Sequence, residues 1–141
     1  MSIQIITTSQ APDSKPIGKS LSLTDEWQTL VEVPSYEVPE QAFGGSTIVV
    51  PGVGEIISPL LVCNSSGSSA TLSVRVYRAE PDANFTIVNE LLIPANDTMT
   101  IPLNGQFIFT GDKLEIKSDT NNVIDVTLSF TVGQAEQDDV A

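Results

Sequence analysis

The feature that most limits what this chain can become is an alternation of apolar and polar residues at period two, which runs from Ala70 to Val132 and is cut at short intervals by turn residues. Such alternation sends every second side chain to one face, as antiparallel strands with a single buried face require. Leu72, Val74 and Val76 share a face, with Ser73, Arg75 and Tyr77 on the other. Phe85, Ile87, Leu91 and Ile93 repeat the pattern between two Pro/Asn/Asp clusters, at 81–84 and 94–97. Met99, Ile101 and Leu103 then lead to Asn104-Gly105, a hairpin dipeptide because both positions tolerate positive φ. Phe107 and Phe109 precede a second turn pair, Gly111-Asp112, and Leu114 and Ile116 follow it. After a turn at 119–122, Ile124, Val126, Leu128, Phe130 and Val132 point one way. Pairing these last two runs with Ile116 opposite Val126 would set Lys117 against Asp125, whereas the slipped register opposes Glu115 and Asp125, so the first is expected.

The first half is less regular. Ile3, Ile5 and Thr7 fit a short strand, and Pro12 and Pro16 mark a linker over 9–18. Leu21 and Leu23 resume the alternation, Thr24-Asp25-Glu26 reads as a turn, and Trp27, Thr29, Val31 and Val33 read as a strand with Trp27 in the core. Residues 34–54 hold three prolines and four glycines, so a long irregular excursion is expected, with one short strand at 47–50. Residues 55–64 are nearly continuous apolar, as in a central strand covered on both sides, and the Ser/Gly run at 65–69 reads as a hairpin loop. No window carries helical periodicity, and β-branched residues are frequent. The expected fold is therefore all-β: an antiparallel two-sheet β-sandwich of seven to nine strands, jelly-roll or Ig-like. It divides into an extended N-terminal arm at 1–18, the sandwich at 19–132 and an acidic flexible tail at 133–141. At 141 residues, one hydrophobic core suffices.

Charge excludes several functions. Six Lys+Arg against 18 Asp+Glu give a net charge of −12, which repels phosphate backbones, so no nucleic-acid partner is expected. Between Lys19 and Arg75 there is no basic residue, which suits a basic or neutral protein partner as well as simple solubility. No apolar run approaches the roughly 20 residues of a membrane span, and residues 1–10 lack the basic and apolar regions of a signal peptide. The chain has no histidine, which removes the commonest general base, the usual zinc ligand and every Ser-His triad. No catalytic, cofactor or metal residues are expected. Asp119, Asn121, Asn122 and Asp125 offer oxygen ligands, yet they lack the glycine and the bidentate glutamate of an EF-hand loop. Cys63, the single cysteine, lies in an apolar run and reads as a small core residue. The sequons at Asn64, Asn84 and Asn96 read as turn chemistry. Two aromatic residues are candidates for partner or sugar contacts, Tyr36 in the long loop and Tyr77 on the polar side of its strand, unless a second sheet covers Tyr77.

Several segments together resemble the small β-sandwich virion proteins of tailed phages, of marine and cyanophage type. They are Leu21-Ser22-Leu23-Thr24-Asp25-Glu26-Trp27-Gln28-Thr29-Leu30, Leu61-Val62-Cys63-Asn64 before the Ser/Gly loop, and Ala70-Thr71-Leu72-Ser73-Val74. Ile93-Pro94-Ala95-Asn96, Phe109-Thr110-Gly111-Asp112-Lys113-Leu114 and Val126-Thr127-Leu128-Ser129-Phe130 complete the set. The resemblance implies a capsid decoration (cement) protein, with a neck or tail component as the alternative and a carbohydrate- or receptor-binding module as the second. It further implies synthesis in the host cytoplasm, a place in the virion, the major capsid protein or other virion proteins as partners, and a homo-oligomer, a trimer by preference. The arm would add a strand to a neighbouring chain through Ile3, Ile5 and Ile6.

Overall fold

Residues 16–39 and 47–134, those that the computed structural model describes, fold into twelve strands and no helix. In chain order they are β1 (Ile17–Ser22), β2 (Gln28–Glu32), β3 (Tyr36–Pro39), β4 (Thr47–Val50), β5 (Gly52–Ile56) and β6 (Leu60–Asn64). Then come β7 (Ala70–Arg78), β8 (Ala83–Ile93), β9 (Asp97–Ile101), β10 (Phe107–Phe109), β11 (Lys113–Ser118) and β12 (Ile124–Gln134). All pairings are antiparallel.

The first sheet, sheet A, has four lanes. β12 pairs β1 along one edge, from Ile17 opposite Phe130 to Ser22 opposite Asp125. Along its other edge it meets β6 and then β5, which lie end to end as one interrupted strand. The interruption is local chemistry: Pro59 has no N–H to donate to the ladder, and beside it the Ser129 amide donates to the Ser58 hydroxyl at 2.8 Å rather than to a strand carbonyl. β9 and β10 are likewise two halves of one edge lane, outside β6 and β5. The second sheet, sheet B, runs β2-β11-β7-β8, and β3 and β4 form a separate hairpin. With end-to-end strands taken as one lane and lanes numbered along the chain, sheet A reads 1-8-3-6 and sheet B reads 2-7-4-5.

One core lies between the two sheets. Ile56, Leu60, Val62, Ile124, Val126, Leu128 and Phe130 enter it from sheet A, and Leu30, Val31, Leu72, Val74, Leu114 and Ile116 from sheet B. Each aliphatic side chain so buried contributes roughly 1.5–3 kcal/mol. The hairpin keeps a small cluster of its own, Val38 and Val50 with Tyr36 against them. Among the described residues, every buried side-chain nitrogen and oxygen has a hydrogen-bond partner.

The all-β, antiparallel reading holds, but several details differ. Twelve strands replace seven to nine, because two lanes are broken and the excursion at 34–54 contributes a two-stranded hairpin. Ile17 and Gly18 belong to β1, and Gly133 and Gln134 to β12, so the sandwich extends past the expected limits at both ends. Asn104-Gly105 does not reverse the chain. Gly105, at φ +95°, donates to the Ile56 carbonyl at 2.8 Å, and the turn only steps β9 over to β10. β11 and β12 do not pair, so the Lys117–Asp125 register is wrong. The connection at 119–123 crosses from one sheet to the other, held by hydrogen bonds from Asn122 N to Leu23 O and from Asp25 N to Asn121 Oδ1, both 2.8 Å. Ile116 and Val126 therefore enter the core from opposite sheets. The run at 55–64 alternates rather than being covered on both sides, leaving Leu61 42% exposed.

Candidate interaction surfaces

Pleating gives each sheet an outer face. On sheet B, Lys113, Tyr77 and Asn84 lie side by side in register, and so do Glu115, Arg75 and Thr86. Arg75 Nε donates to Glu115 Oε1 at 2.7 Å. The Arg75 guanidinium also stacks 4.1 Å from the centroid of the Trp27 ring, and the Lys117 ammonium sits 5.2 Å from it. Trp27 is thus half-buried on the outside, flanked by two cations, and not in the core as its alternation suggested. The residues preceding β2 turn, and the Gln28 side chain accepts from the Thr24 amide at 3.0 Å, so the phase counted through 27–33 slips at its start.

Tyr77 is half-buried on this same face with no second sheet over it, and its hydroxyl donates to Asp82 Oδ1. That bond, with some burial and the nearby carboxylates of Asp82 and Asp112, raises its pKa above the ordinary 10.0. At the end of β7, Arg78 Nη1 donates to Asp112 Oδ2 at 2.9 Å and to the Phe107 carbonyl, also at 2.9 Å. Asp112 is buried and accepts from the Ala79 and Phe109 amides as well. Burial pushes its carboxyl up, but the Ala79 amide, the Arg78 guanidinium and the Phe109 amide together outweigh burial and hold it below the ordinary value.

Sheet A's outer face is chemically different. Ser22, Asp125, Cys63 and Thr98 form one cross-strand row, and Ser20, Thr127, Leu61 and Thr100 the next. The small side chains leave a groove of about 440 Å³ running from Ser20 and Ser22 to Leu61 and Cys63. Its hydroxyls are engaged across the strands, Ser20 Oγ donating to Thr127 Oγ1 at 2.9 Å and Ser22 Oγ to the Asp125 carboxylate. Cys63 is half-exposed on this face rather than buried, because it is Val62 and Asn64 that point inward.

A third region is the edge where β8 closes sheet B and meets β9, while β10, the other half of sheet A's edge lane, lies against β2. Residues 83–109 supply all of it, and they contain two charged side chains, Glu90 and Asp97, out of 24 in the chain. Phe85, Ile87 and Leu92 are exposed on β8, whereas Phe107 and Phe109, on either side of the buried Ile108 and opposite Glu55 and Val53, are exposed on sheet A's outer face. Glu90, at φ 52°, bulges β8, and its amide donates to Ser73 Oγ at 2.9 Å. A second register shift, opposite Val74 and Arg75, leaves Ile87 unpaired and off the face expected for it.

Of the residues singled out from the sequence, Ile3, Ile5 and Ile6 lie outside the described residues. Tyr36 packs against the hairpin cluster and over Gly52, where a Cβ would stand 2.7 Å from its ring and 2.6 Å from the Pro34 carbonyl. Tyr36 and Tyr77 are not brought together in one site: Tyr36 belongs to the hairpin and Tyr77 to sheet B. The oxygen ligands near Asp119 are already engaged, Asp119 Oδ1 by the Thr71 amide at 2.9 Å and Asn121 Oδ1 by Asp25. Asn64 is fully buried. It donates to the carbonyls of Ser68 (2.9 Å) and Ile93 (3.1 Å) and accepts from Ser66, so the Ser/Gly run is a tied crossing between sheets and not a hairpin. No local sequence signal marked Trp27 as a cation-flanked surface residue, because Arg75 and Lys117 come beside it only through the sheet order β2-β11-β7.

No family model matches the chain, and no curated protein matches it. Among solved structures it is similar to a pentameric capsid protein isolated from metagenomic phage sequences, with a TM-score of 0.39 and 12% identity, over 95% of this chain and 71% of that one. It is also similar to Eiger TNF from S. frugiperda, with a TM-score of 0.34 and 8% identity over 89% and 96% of the two chains. A third is the CBM22-1–GH10 part of Clostridium thermocellum xylanase 10B, with a TM-score of 0.30 and 14% identity over 89% and 29%. Likenesses this low decide neither fold nor role.

Proposed function

We propose that this chain is a non-enzymatic structural protein of a phage virion with a jelly-roll fold, a capsid decoration protein that binds the outer head surface and stabilises contacts between coat subunits. The observation that carries the reading is the strand order, 1-8-3-6 facing 2-7-4-5, which is the winding of two Greek keys into a double sheet and a recurrent plan of capsid domains. Its chemistry agrees. A chain without histidine, whose buried polar atoms among the described residues all have partners, is suited to filling space and presenting surface. The same fold class serves lectins, but Tyr36 packs on its own hairpin and the sheet A groove has no aromatic lining, which favours the structural role over sugar stacking.

The partners are the major capsid protein or other virion proteins, and the chain works as a homo-oligomer. Purified protein added to bare phage capsids is expected to bind saturably, at a fixed ratio to coat subunits, and to raise the temperature at which the capsids open. Binding to purified necks or tails in preference to heads would move the assignment along the virion. A glycan array with one strong sugar family, and no capsid binding, would overturn it.

A further inference from the structure

We infer that Asn104 is a site of spontaneous covalent modification: its side-chain amide is converted to isoaspartate and aspartate by the backbone of its own turn, at a rate set by the hydrogen bond between Gly105 and Ile56. The inference is independent of the proposed function.

No other asparagine in the chain is followed by glycine. The reaction starts at the amide nitrogen of the following residue, which loses its proton to hydroxide and attacks the asparagine Cγ. The new N–Cγ bond closes a cyclic imide, the Cγ–Nδ2 bond breaks, and ammonia leaves. Water then opens the imide. Breaking the nitrogen's bond to the backbone carbonyl carbon gives isoaspartate, and breaking its bond to Cγ gives aspartate. Asparagine and water become the acid and ammonia, so solvent is the only co-reactant. A glycine at the second position leaves the attacking nitrogen uncrowded and its backbone free to bend toward Cγ. Asn84, Asn89, Asn96, Asn121 and Asn122 are followed by Phe85, Glu90, Asp97, Asn122 and Val123, which do crowd it. Asn64 precedes the small Ser65, but it is fully buried, and its Nδ2 donates to the carbonyls of Ser68 and Ile93.

Asn104 and Gly105 are both exposed, and a Cβ at Gly105 would meet no atom within 4 Å, so solvent reaches the turn. The attacking nitrogen, however, is engaged. Gly105 N donates to the Ile56 carbonyl at 2.8 Å, while the Gln106 carbonyl accepts from the Ile56 amide at 3.0 Å. A backbone N–H held by a carbonyl gives up its proton less readily, and its nitrogen is fixed in the sheet instead of swinging toward Cγ. Conversion therefore proceeds from molecules in which the turn has come away from Ile56. That opening is local, because β10 is three residues long and, among the described residues, pairs with β5 alone. A backbone hydrogen bond of ordinary net strength lowers the open fraction by about 5-fold.

The product changes the edge of sheet A. Isoaspartate carries the main chain through Cβ and lengthens it by one carbon, between the buried Leu103 and the buried Ile108. With both of those anchored in the core, the added length falls on the two bonds to Ile56, and β10 loosens from β5.

Peptide mass mapping of the full chain, aged in mildly alkaline buffer beside a sample unfolded in urea, tests the inference. Isoaspartate is expected at Asn104 before any other asparagine, forming in the folded chain about 5-fold or more slowly than in the unfolded one. Amide hydrogen exchange across 105–109 should be faster in the converted fraction than in the fresh protein. Asn104→Ser should abolish the product and leave the circular dichroism spectrum unchanged, since the side chain is exposed. Equal rates in the folded and unfolded chains would show that the bond to Ile56 sets nothing. First conversion at a different asparagine, an Asn104 that stays intact in the folded chain after the unfolded chain has fully converted, or unchanged exchange at 105–109 would each overturn the inference as well.

Discussion

Sheet A and sheet B present outer faces of the same pleated geometry and opposite chemistry. On sheet B several charges are settled internally: Arg75 with Glu115 and Trp27, Arg78 with Asp112, Lys117 with Trp27, and the Tyr77 hydroxyl with Asp82. On sheet A the rows are Ser, Thr and Cys around the exposed Leu61, and the only carboxylate in the groove, Asp125, is bonded to a serine. Covering sheet B would desolvate ion pairs for little return, since each pair already has its partner. Covering sheet A would remove water from small hydroxyls that are engaged across the strands, a smaller loss. The comparison teaches that sheet B's polar face serves the fold and sheet A's open face is the cheaper one to give to a partner.

Asp112 is where breaking this division should show most. Asp112→Ala leaves the Ala79 and Phe109 amides and the Arg78 guanidinium without their acceptor in a buried corner, a loss of about 3 kcal/mol in denaturant unfolding. The pH dependence follows from the depressed carboxyl. Its stabilisation is present in full above the ordinary value of 3.8 and is lost as pH falls through the lower folded value. Asp119, held down by the Thr71 amide, has the same sign. Asp112→Asn should therefore unfold with a shallower acid limb than the parent, and identical acid limbs would mean that Asp112 does not carry this dependence. Next in size is Trp27→Ala, which strips a half-buried ring and two cation contacts from sheet B and should lower stability by about 1–2 kcal/mol. Leu61→Ala, on the open face, should stay within about 0.5 kcal/mol of the parent. Equal losses at Trp27 and Leu61 would erase the contrast between the faces.

The inward faces of β7, β11 and β12 were legible in the sequence because Leu72, Val74, Leu114, Ile116, Val126 and Leu128 alternate without interruption, and alternation is a local property. Which strands pair was not legible. Asn104-Gly105 carries the chemistry of a hairpin turn, yet its flanks bond not to each other but to β6 and β5, far earlier in the chain, and only the assembled sheet decides that. The same holds for Lys117, whose charge suggested Asp125 as neighbour and whose true neighbour is the indole at the start of the adjacent strand of its own sheet. Bulges defeat counting for a different reason. One register shift sits at Glu90, whose amide bonds the Ser73 hydroxyl, and a second leaves Ile87 without a cross-strand partner between Thr86 and Val88, so Phe85 and Ile87 cannot share a face although their spacing is right.

The smallest effect tests the comparison at its most exposed point. If sheet B's polar groups are committed within the molecule even at the surface, the Tyr77 phenol should ionise late, because losing its proton breaks the bond to Asp82 and places two negative charges together. The sign is that of a raised acid: the bond's contribution is present below 10.0 and disappears as pH rises through the folded value. The chain has two tyrosines, so an ultraviolet absorbance titration of the native protein resolves the question by subtraction. Tyr77→Phe should remove a component that titrates above 10.0, and Asp82→Asn should move that component back toward 10.0 by abolishing the repulsion. If Asp82→Asn leaves the Tyr77 component in place, the hydroxyl is free, and sheet B's outer face has an unpaired group to offer a partner after all.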